Sequence, residues 1–300
     1  MNQSSLTLPS FAKINLSLRV LGKRLDGYHQ VATVLQTISL HDDLSFQLSD
    51  KSGVVLRSND TTLPADQSNL IVRAAVAFKR ESGIGFGVTI GLRKTIPVGA
   101  GLGGGSSNAA MTLLALNRLW NVNAPIRTLE GIGASLGADV PFFFTGGRAI
   151  ATGTGTEISP VSDLPLKQLI IITPRASIST ANAYKALDAA SLTTSGTLPI
   201  LTSSSAEPIL SDCDQWPLQN DFESVIFEIE PEITRARGAM IDAGARQVML
   251  SGSGSSVFAI FNTEEEQQRA LTNFKAEAGW RIFSCRTLSR NKYLAAIDCA

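Results

Sequence analysis

The sequence is short of cysteine, histidine and aromatic residues and has no surplus charge of either sign. Its three cysteines, Cys213, Cys285 and Cys299, are odd in number and scattered. They make neither a disulfide framework nor a zinc cluster and point to a reducing compartment. Lys plus Arg and Asp plus Glu both total 26, so no basic excess is left to neutralise a phosphate backbone, and a nucleic-acid partner is disfavoured. No apolar run approaches the ~20 residues that span a bilayer, so no membrane partner is expected. The opening stretch, MNQSSLTLPSFAKINL, lacks a cationic segment followed by a continuous apolar core, so no secretory signal is expected either. The reading is a cytoplasmic protein, or the mature form of an organellar one.

What is present is ordinary globular composition: 300 residues, 44% hydrophobic and 17% charged, enough for two modest domains with buried cores. In AKINLSLRV, apolar Ile14, Leu16, Leu18 and Val20 alternate with Lys13, Asn15, Ser17 and Arg19, the period of a half-buried strand. Lys13 and Asn15 then share its polar face. YHQVATVLQTISL, LSFQL and GVVLRS read as further separate strands, NLIVRAAVAFKRES as a helix with Asn69 as its N-cap, and FGVTIGLRK as a strand. A helix starts at about Ser107, and another covers APIRTLEGIGASL. The pattern relaxes at SPVSDLP, which divides the chain into domains 1–160 and 161–300. Beyond it come a strand at KQLIIITP, a helix at TANAYKAL that Thr180 can cap, a long Ser/Thr/Pro-rich loop from Ala189 to Pro217, and interleaved helices and strands to the end. Hairpins mixed with helices make α+β the expected class rather than a doubly wound parallel sheet.

The chemistry-bearing stretch is PVGAGLGGGSSNAA, Pro97 to Ala110, running into an apolar helix. Glycine gives up more backbone freedom on folding than any other residue, so this density needs a reason. A glycine loop at a helix N-terminus offers unpaired N–H groups and a positive dipole end to a phosphate. Gly99, Gly101 and Gly104 formally satisfy the dinucleotide fingerprint, but the acidic residue expected some twenty positions on is replaced by NVNAP. A Walker A loop is excluded because Ser106, Ser107 and Asn108 stand where it needs Gly-Lys-Ser/Thr.

The loop closely resembles the ATP-binding loop of the GHMP small-molecule kinases. The resemblance extends to AKINLSLRVLGKRLDGYH, GADVPFFFTGG, NDFE and LSGSGSSVFA, and it is strongest to the branch whose acceptor is a cytidine diphosphate-linked methylerythritol. It implies a two-domain α+β fold: an N-terminal ribosomal-protein-S5-domain-2-like domain, a C-terminal ferredoxin-like domain, and the active site in the cleft between them. It also implies ATP and Mg2+, with Pro97, Gly99, Ala100, Gly101, Leu102, Gly103, Gly104, Gly105, Ser106 and Ser107 around the phosphates and Asn69 near the adenine. Ser107 is a candidate to reach the metal, whose ligands are otherwise unknown.

By the same resemblance Asp139 is the catalytic base and Lys13 its partner, stabilising charge that develops on the alcohol and the phosphoryl group. Taken alone, Asp139 reads first as a turn or helix-end carboxylate and Lys13 as a solvated strand lysine; the matching AKIN and GADVPF contexts reverse that preference. Tyr28, His29 and Tyr184 match positions that sandwich a cytosine and read its edge. Asn15, facing as Lys13 does, is placed to bond the erythritol part of the acceptor. A sibling kinase acting on mevalonate, homoserine or a sugar, and a catalytically silent nucleotide-binding relative, remain the alternatives.

Overall fold

A computed structural model describes residues 4–193 and 218–298. Most of the predicted loop from Ala189 to Pro217 lies outside the described residues. Two long strands dominate the first half, β1 (Ser5–Lys23) and β2 (His29–Ser49), joined by the Asp26-Gly27 turn and paired antiparallel. The stretches read as two strands, YHQVATVLQTISL and LSFQL, are one. The polar HDD between them looks like a break, but Asp42 is fully buried and satisfied: its carboxylate accepts from the Thr95 and Ile96 amides at 2.7 and 2.8 Å, from Asn108 at 2.9 Å and from Lys94. A buried carboxylate with that many donors does not interrupt a strand.

β3 (Val54–Ser58) and β4 (Gly87–Arg93) extend this sheet, linked by the helix α1 (Leu70–Ser82). Asn69 caps α1, accepting from the Ile71 amide at 2.9 Å. The helix α2 (Gly104–Leu119) follows the glycine loop and begins three residues before Ser107. Gly104 and Gly105 are poor helix formers, but in a first turn whose N–H groups have no carbonyl partners their propensity matters little. The helices α3 (Ile126–Leu136) and α4 (Phe142–Thr145) flank Asp139, and β5 (Arg148–Thr152) and β6 (Glu157–Pro160) complete the segment before residue 161. The sheet runs β3-β4-β2-β1, with β5 and β6 branching from β2. Its core packs Phe46, Phe78, Met111, Leu116, Phe142 and Phe143 beneath α1, α2 and α3.

The second sheet starts with β7 (Gln168–Thr173), followed by the helix α5 (Thr180–Thr193). Ser179, not Thr180, bonds into the first turn of α5, accepting from the Asn182 amide at 3.2 Å. The short strand β8 (Gln219–Asn220) adds to β1 in the first sheet, parallel to it. Then come α6 (Glu223–Ile229), α7 (Pro231–Asp242), β9 (Val248–Leu250), β10 (Val257–Phe261), α8 (Glu264–Asn273) and β11 (Arg281–Arg286). The sheet order β11-β7-β10-β9, all antiparallel, is that of a ferredoxin-like βαββαβ unit.

The two sheets share an apolar seam, in which Ile14, Leu16, Val34, Ile38 and Ile150 meet Leu169, Ile171, Met249, Phe258 and Cys285. Burial pushes the Cys285 thiol up to about 12, so it packs as a small hydrophobe. The last helix, α9 (Arg290–Asp298), returns to the first core, where fully buried Tyr293 donates to the Phe143 carbonyl.

Candidate active site

β1 is not half-buried where Lys13 and Asn15 lie. Both residues are only 3% exposed, because the glycine loop folds over their face and the Lys13 amide donates to the Leu102 carbonyl at 3.0 Å. The β1–β2 register shifts between Phe11 and Lys13 and again between Asn15 and Ser17. Such bulges re-aim side chains locally, and here they bracket the two polar residues.

The glycine spacing of the loop follows from its backbone. Gly99, Gly101 and Gly103 have φ of 65°, 76° and 68°, the left-handed region that glycine adopts without a Cβ penalty. The residues between them anchor the loop: Ala100 and Leu102 are buried in the seam between the sheets, so they contribute backbone and not side chain to the cleft. The SGSGSSV segment backs the loop, with the Ser251 hydroxyl donating to the Gly101 carbonyl at 3.0 Å and the Ser256 amide to the Ala100 carbonyl at 3.2 Å. A Cβ on Gly101 would stand 2.0 Å from the Ser251 carbonyl oxygen, so only glycine lets the two stretches pack this closely.

At the end of the loop, Gly103 is the N-terminal boundary of α2, whose first turn carries no acidic residue. Lys13 lies directly against it. Its ammonium is 3.3 Å from the Asp139 carboxylate and donates to Asn15 Oδ1 at 2.8 Å, while Asn15 donates to Thr33 Oγ1 at 2.8 Å. Asp139 is held between α3 and α4 by Val140, Phe142 and Phe143, all fully buried, yet its own side chain is 37% exposed. A desolvated cation, the positive end of α2 and an open carboxylate thus meet at one point.

These groups line a cleft of about 1040 Å³, beyond the roughly 300–1,000 Å³ usual for one small ligand. Asn69 and Leu70 lie beside Gly105, Gly103 beside Lys13, and Lys13 beside Asp139. Tyr28, His29 and Tyr184 line the same cleft. Tyr28 is 67% exposed. Tyr184 is half-buried, and desolvation, with Asp139 and Asp188 adding to it, pushes its phenol up to about 12.

The sandwich of a base between the two tyrosines is not preformed. His29 stacks on Tyr184, with ring centroids 4.4 Å apart and planes within 14°, and so takes one face of that ring, while Phe222 meets Tyr184 edge-on at 4.9 Å. Asn69 lines the cleft with both ends of its amide engaged, by the Ile71 amide and by the Pro64 carbonyl at 2.9 Å. Ser106 faces the cleft near Gly137, but Ser107 does not. It is fully buried, its amide bonded to the Gly103 carbonyl and its hydroxyl accepting from Ser10 at 2.8 Å. The expectation that Ser107 reaches a metal therefore fails: it belongs to a network with Ser10, Asn108, Asp42 and Lys94 beneath the loop.

Sequence reading missed Lys94 and Asp188. Lys94 is nearly buried, lines the cleft and touches the Gly104 position; its signal was a lysine three residues before Pro97. Asp188 stands one helical turn after Tyr184, the spacing that shares a face.

The chain from 69 to 147 matches the GHMP kinases N terminal domain, and 206–279 matches the GHMP kinases C terminal domain. A 4-diphosphocytidyl-2-C-methyl-D-erythritol kinase of Thermodesulfovibrio yellowstonii is 42% identical over 273 residues, covering 90% of this chain and 94% of the relative. The kinase of the same name from Syntrophus aciditrophicus is 42% identical over 284 residues, covering 94% and 99%. A crystal structure of 4-(cytidine 5'-diphospho)-2C-methyl-D-erythritol kinase superposes with a TM-score of 0.75 at 33% identity, covering 94% of this chain and 99% of that one. With both domains matched and the likeness running nearly end to end, the chain belongs to the 4-diphosphocytidyl-2-C-methyl-D-erythritol kinase family of GHMP kinases.

Proposed function

We propose that the protein transfers the γ-phosphoryl group of ATP to the 2-hydroxyl of 4-diphosphocytidyl-2-C-methyl-D-erythritol, a step of the non-mevalonate route to isoprenoid precursors, in the cytoplasm. The observation that carries this reading is the approach of Lys13 to Asp139, 3.3 Å, beside the N-terminus of α2. Phosphoryl transfer needs positioning and charge stabilisation more than covalent help from the protein. Backbone amides from Gly99 to Ser106 receive the triphosphate, and Lys13 meets the charge that builds on the γ-phosphoryl oxygens. Asp139 accepts the proton of the acceptor hydroxyl as its oxygen bonds to phosphorus and the bond to the bridging oxygen breaks, releasing ADP. Asn15, locked by Lys13 and Thr33, bonds the polyol.

Magnesium fits a site with few protein ligands, because it is held largely by phosphate oxygens and water with one or two carboxylates. Asp139 is the carboxylate open to the cleft beside the loop, and Ser106 is the nearby hydroxyl. When bound with ATP, the ion neutralises phosphate charge. We place the division between the two domains near residue 160, with the acceptor and nucleotide between them. The base of the acceptor goes to the end of the cleft lined by Tyr28, His29 and Tyr184, a feature that mevalonate and homoserine, having no base, would leave unused.

The test is ADP release with ATP, magnesium and a panel of alcohols. Turnover with the cytidyl acceptor and not with mevalonate, homoserine or a sugar is the expected result. Turnover with mevalonate alone would overturn the substrate, and ATP binding without turnover of any alcohol would point to a silent relative.

A further inference from the structure

One carboxylate in the cleft has no part in the phosphoryl transfer. Asp188, on α5, accepts from His29 Nε2 at 2.9 Å, and its second oxygen lies 3.4 Å from the Lys23 ammonium. Tyr184, one turn earlier on the same helix, carries the His29 ring on its face. The imidazole is thus clamped twice from α5, by stacking and by a hydrogen bond, and its side chain is only 8% exposed. His29 Nδ1 has no hydrogen-bond partner among the described residues.

A carboxylate is an acceptor only, so the ring nitrogen facing it carries the proton. In the neutral imidazole the other nitrogen is then a bare acceptor, and the partner of one nitrogen decides the role of the other. A bare Nδ1 at the base end of the cleft welcomes an exocyclic amino group and repels a carbonyl oxygen. Cytosine presents an amino group at position 4, where uracil presents a carbonyl.

We infer that Asp188 is a positioning residue that holds His29 in the Nε2-protonated form and so makes the site select a cytidine over a uridine acceptor. This rests on the reading of the acceptor as a cytidine derivative, and it can fail while that reading stands. Polar mismatch against a buried hydrogen-bonding site is a strong discriminator, because the unpaired group keeps its full desolvation cost. Asp188 is assigned no contact of its own with the base or the phosphates, only the bond to His29. Its effect passes entirely through His29.

Two measurements test it. His29 and His41 are the only histidines, so 15N NMR of the imidazoles resolves both rings, with His41→Gln assigning them. His29 should carry its proton on Nε2 in the intact protein and become a mixture of tautomers in Asp188→Ala, with Asp188→Glu restoring the original form. Titration with cytidine 5′-diphosphate and uridine 5′-diphosphate reads selectivity without turnover. The intact protein should favour the cytidine compound by roughly tenfold to a hundredfold. Asp188→Ala should bring the two within about threefold, and in turnover its loss should fall on KM for the acceptor rather than on kcat.

Equal binding of the two diphosphates by the intact protein, a proton on Nδ1, or selectivity that survives Asp188→Ala would each overturn the inference. Selectivity that depends on Asp188 in a protein that phosphorylates no alcohol would uphold it and sink the kinase reading instead.

Discussion

Gly103 and Gly105 are two residues apart at the start of α2, yet alanine should act on them in opposite directions. At Gly103, φ is 68°, and a Cβ would sit 2.9 Å from Lys13 Cγ and 3.0 Å from Phe143 Cζ. The left-handed conformation costs a non-glycine residue roughly 1–2 kcal/mol, and overpacking adds about 1–3 kcal/mol. Lys13 cannot swing aside cheaply, because its ammonium is tied to Asp139 and Asn15 and it is buried. Gly103→Ala should therefore cost about 3 kcal/mol in all, lowering Tm by roughly 6–12 °C for a chain of this size, and should depress kcat by displacing Lys13.

At Gly105, inside the first turn of α2, a Cβ would meet nothing nearer than Leu70 Cδ1 at 3.4 Å. Gly105→Ala should raise stability by about 0.4–1 kcal/mol through the lower entropy of the unfolded chain. Its Cβ would nonetheless stand where phosphate oxygens must approach, so KM for ATP should rise. Thermal melts without nucleotide, paired with steady-state kinetics, separate the two effects. If both variants lost stability equally, or if Gly103→Ala matched the parent in Tm and kcat, the glycines would be serving as a flexible hinge and the steric account would be wrong.

Asp139→Asn should lower kcat by about 10²–10⁴ with KM for the acceptor little changed, because general-base help is realised only in the transition state. Since Asp139 is more than a third exposed, its stability effect should stay within about 1 kcal/mol; turnover within roughly threefold of the parent would show that positioning and not base catalysis dominates. Burial raises the Glu223 carboxyl from its ordinary value of 4.5, partly offset by the hydrogen bond from the Leu250 amide and by Arg237. Ionising it therefore costs more in the folded than in the unfolded state, and that cost grows as pH rises through the raised value. Glu223→Gln keeps the acceptor for Leu250 and should melt higher than the parent at neutral pH but not at pH 4; a gain of the same size at both would rule out the carboxylate charge as its source.

Much of the site was legible because it is written in local patterns. The strand alternation put Lys13 and Asn15 on one face, the Asn69 cap was visible from its place before a helical period, and the glycine density marked a loop leading into a helix N-terminus. Other features stayed hidden because their cause lies far along the chain. Asp42 looked like a strand break until Lys94, Thr95, Ile96 and Asn108 were seen to satisfy it. Ser107 looked like a metal ligand by position in the loop, yet α2 starts early enough to turn its hydroxyl inward to Ser10. His29 and Tyr184 were both expected at the base, but that one would cover the other depends on how α5 packs.

By itself, then, the sequence determined where a glycine loop meets a helix, which strand carries the lysine and where the helices it revealed begin to within a turn, since these depend on spacing and backbone preference over a few residues. Only the tertiary structure decided that Lys13 is buried, that it faces Asp139, and that Asp188 bonds His29. Those outcomes depend on the loop, α5 and the turn after α3 closing over β1 and β2 from 89 to 159 residues away. Desolvation and charge pairing arise at such contacts, and no local period encodes them.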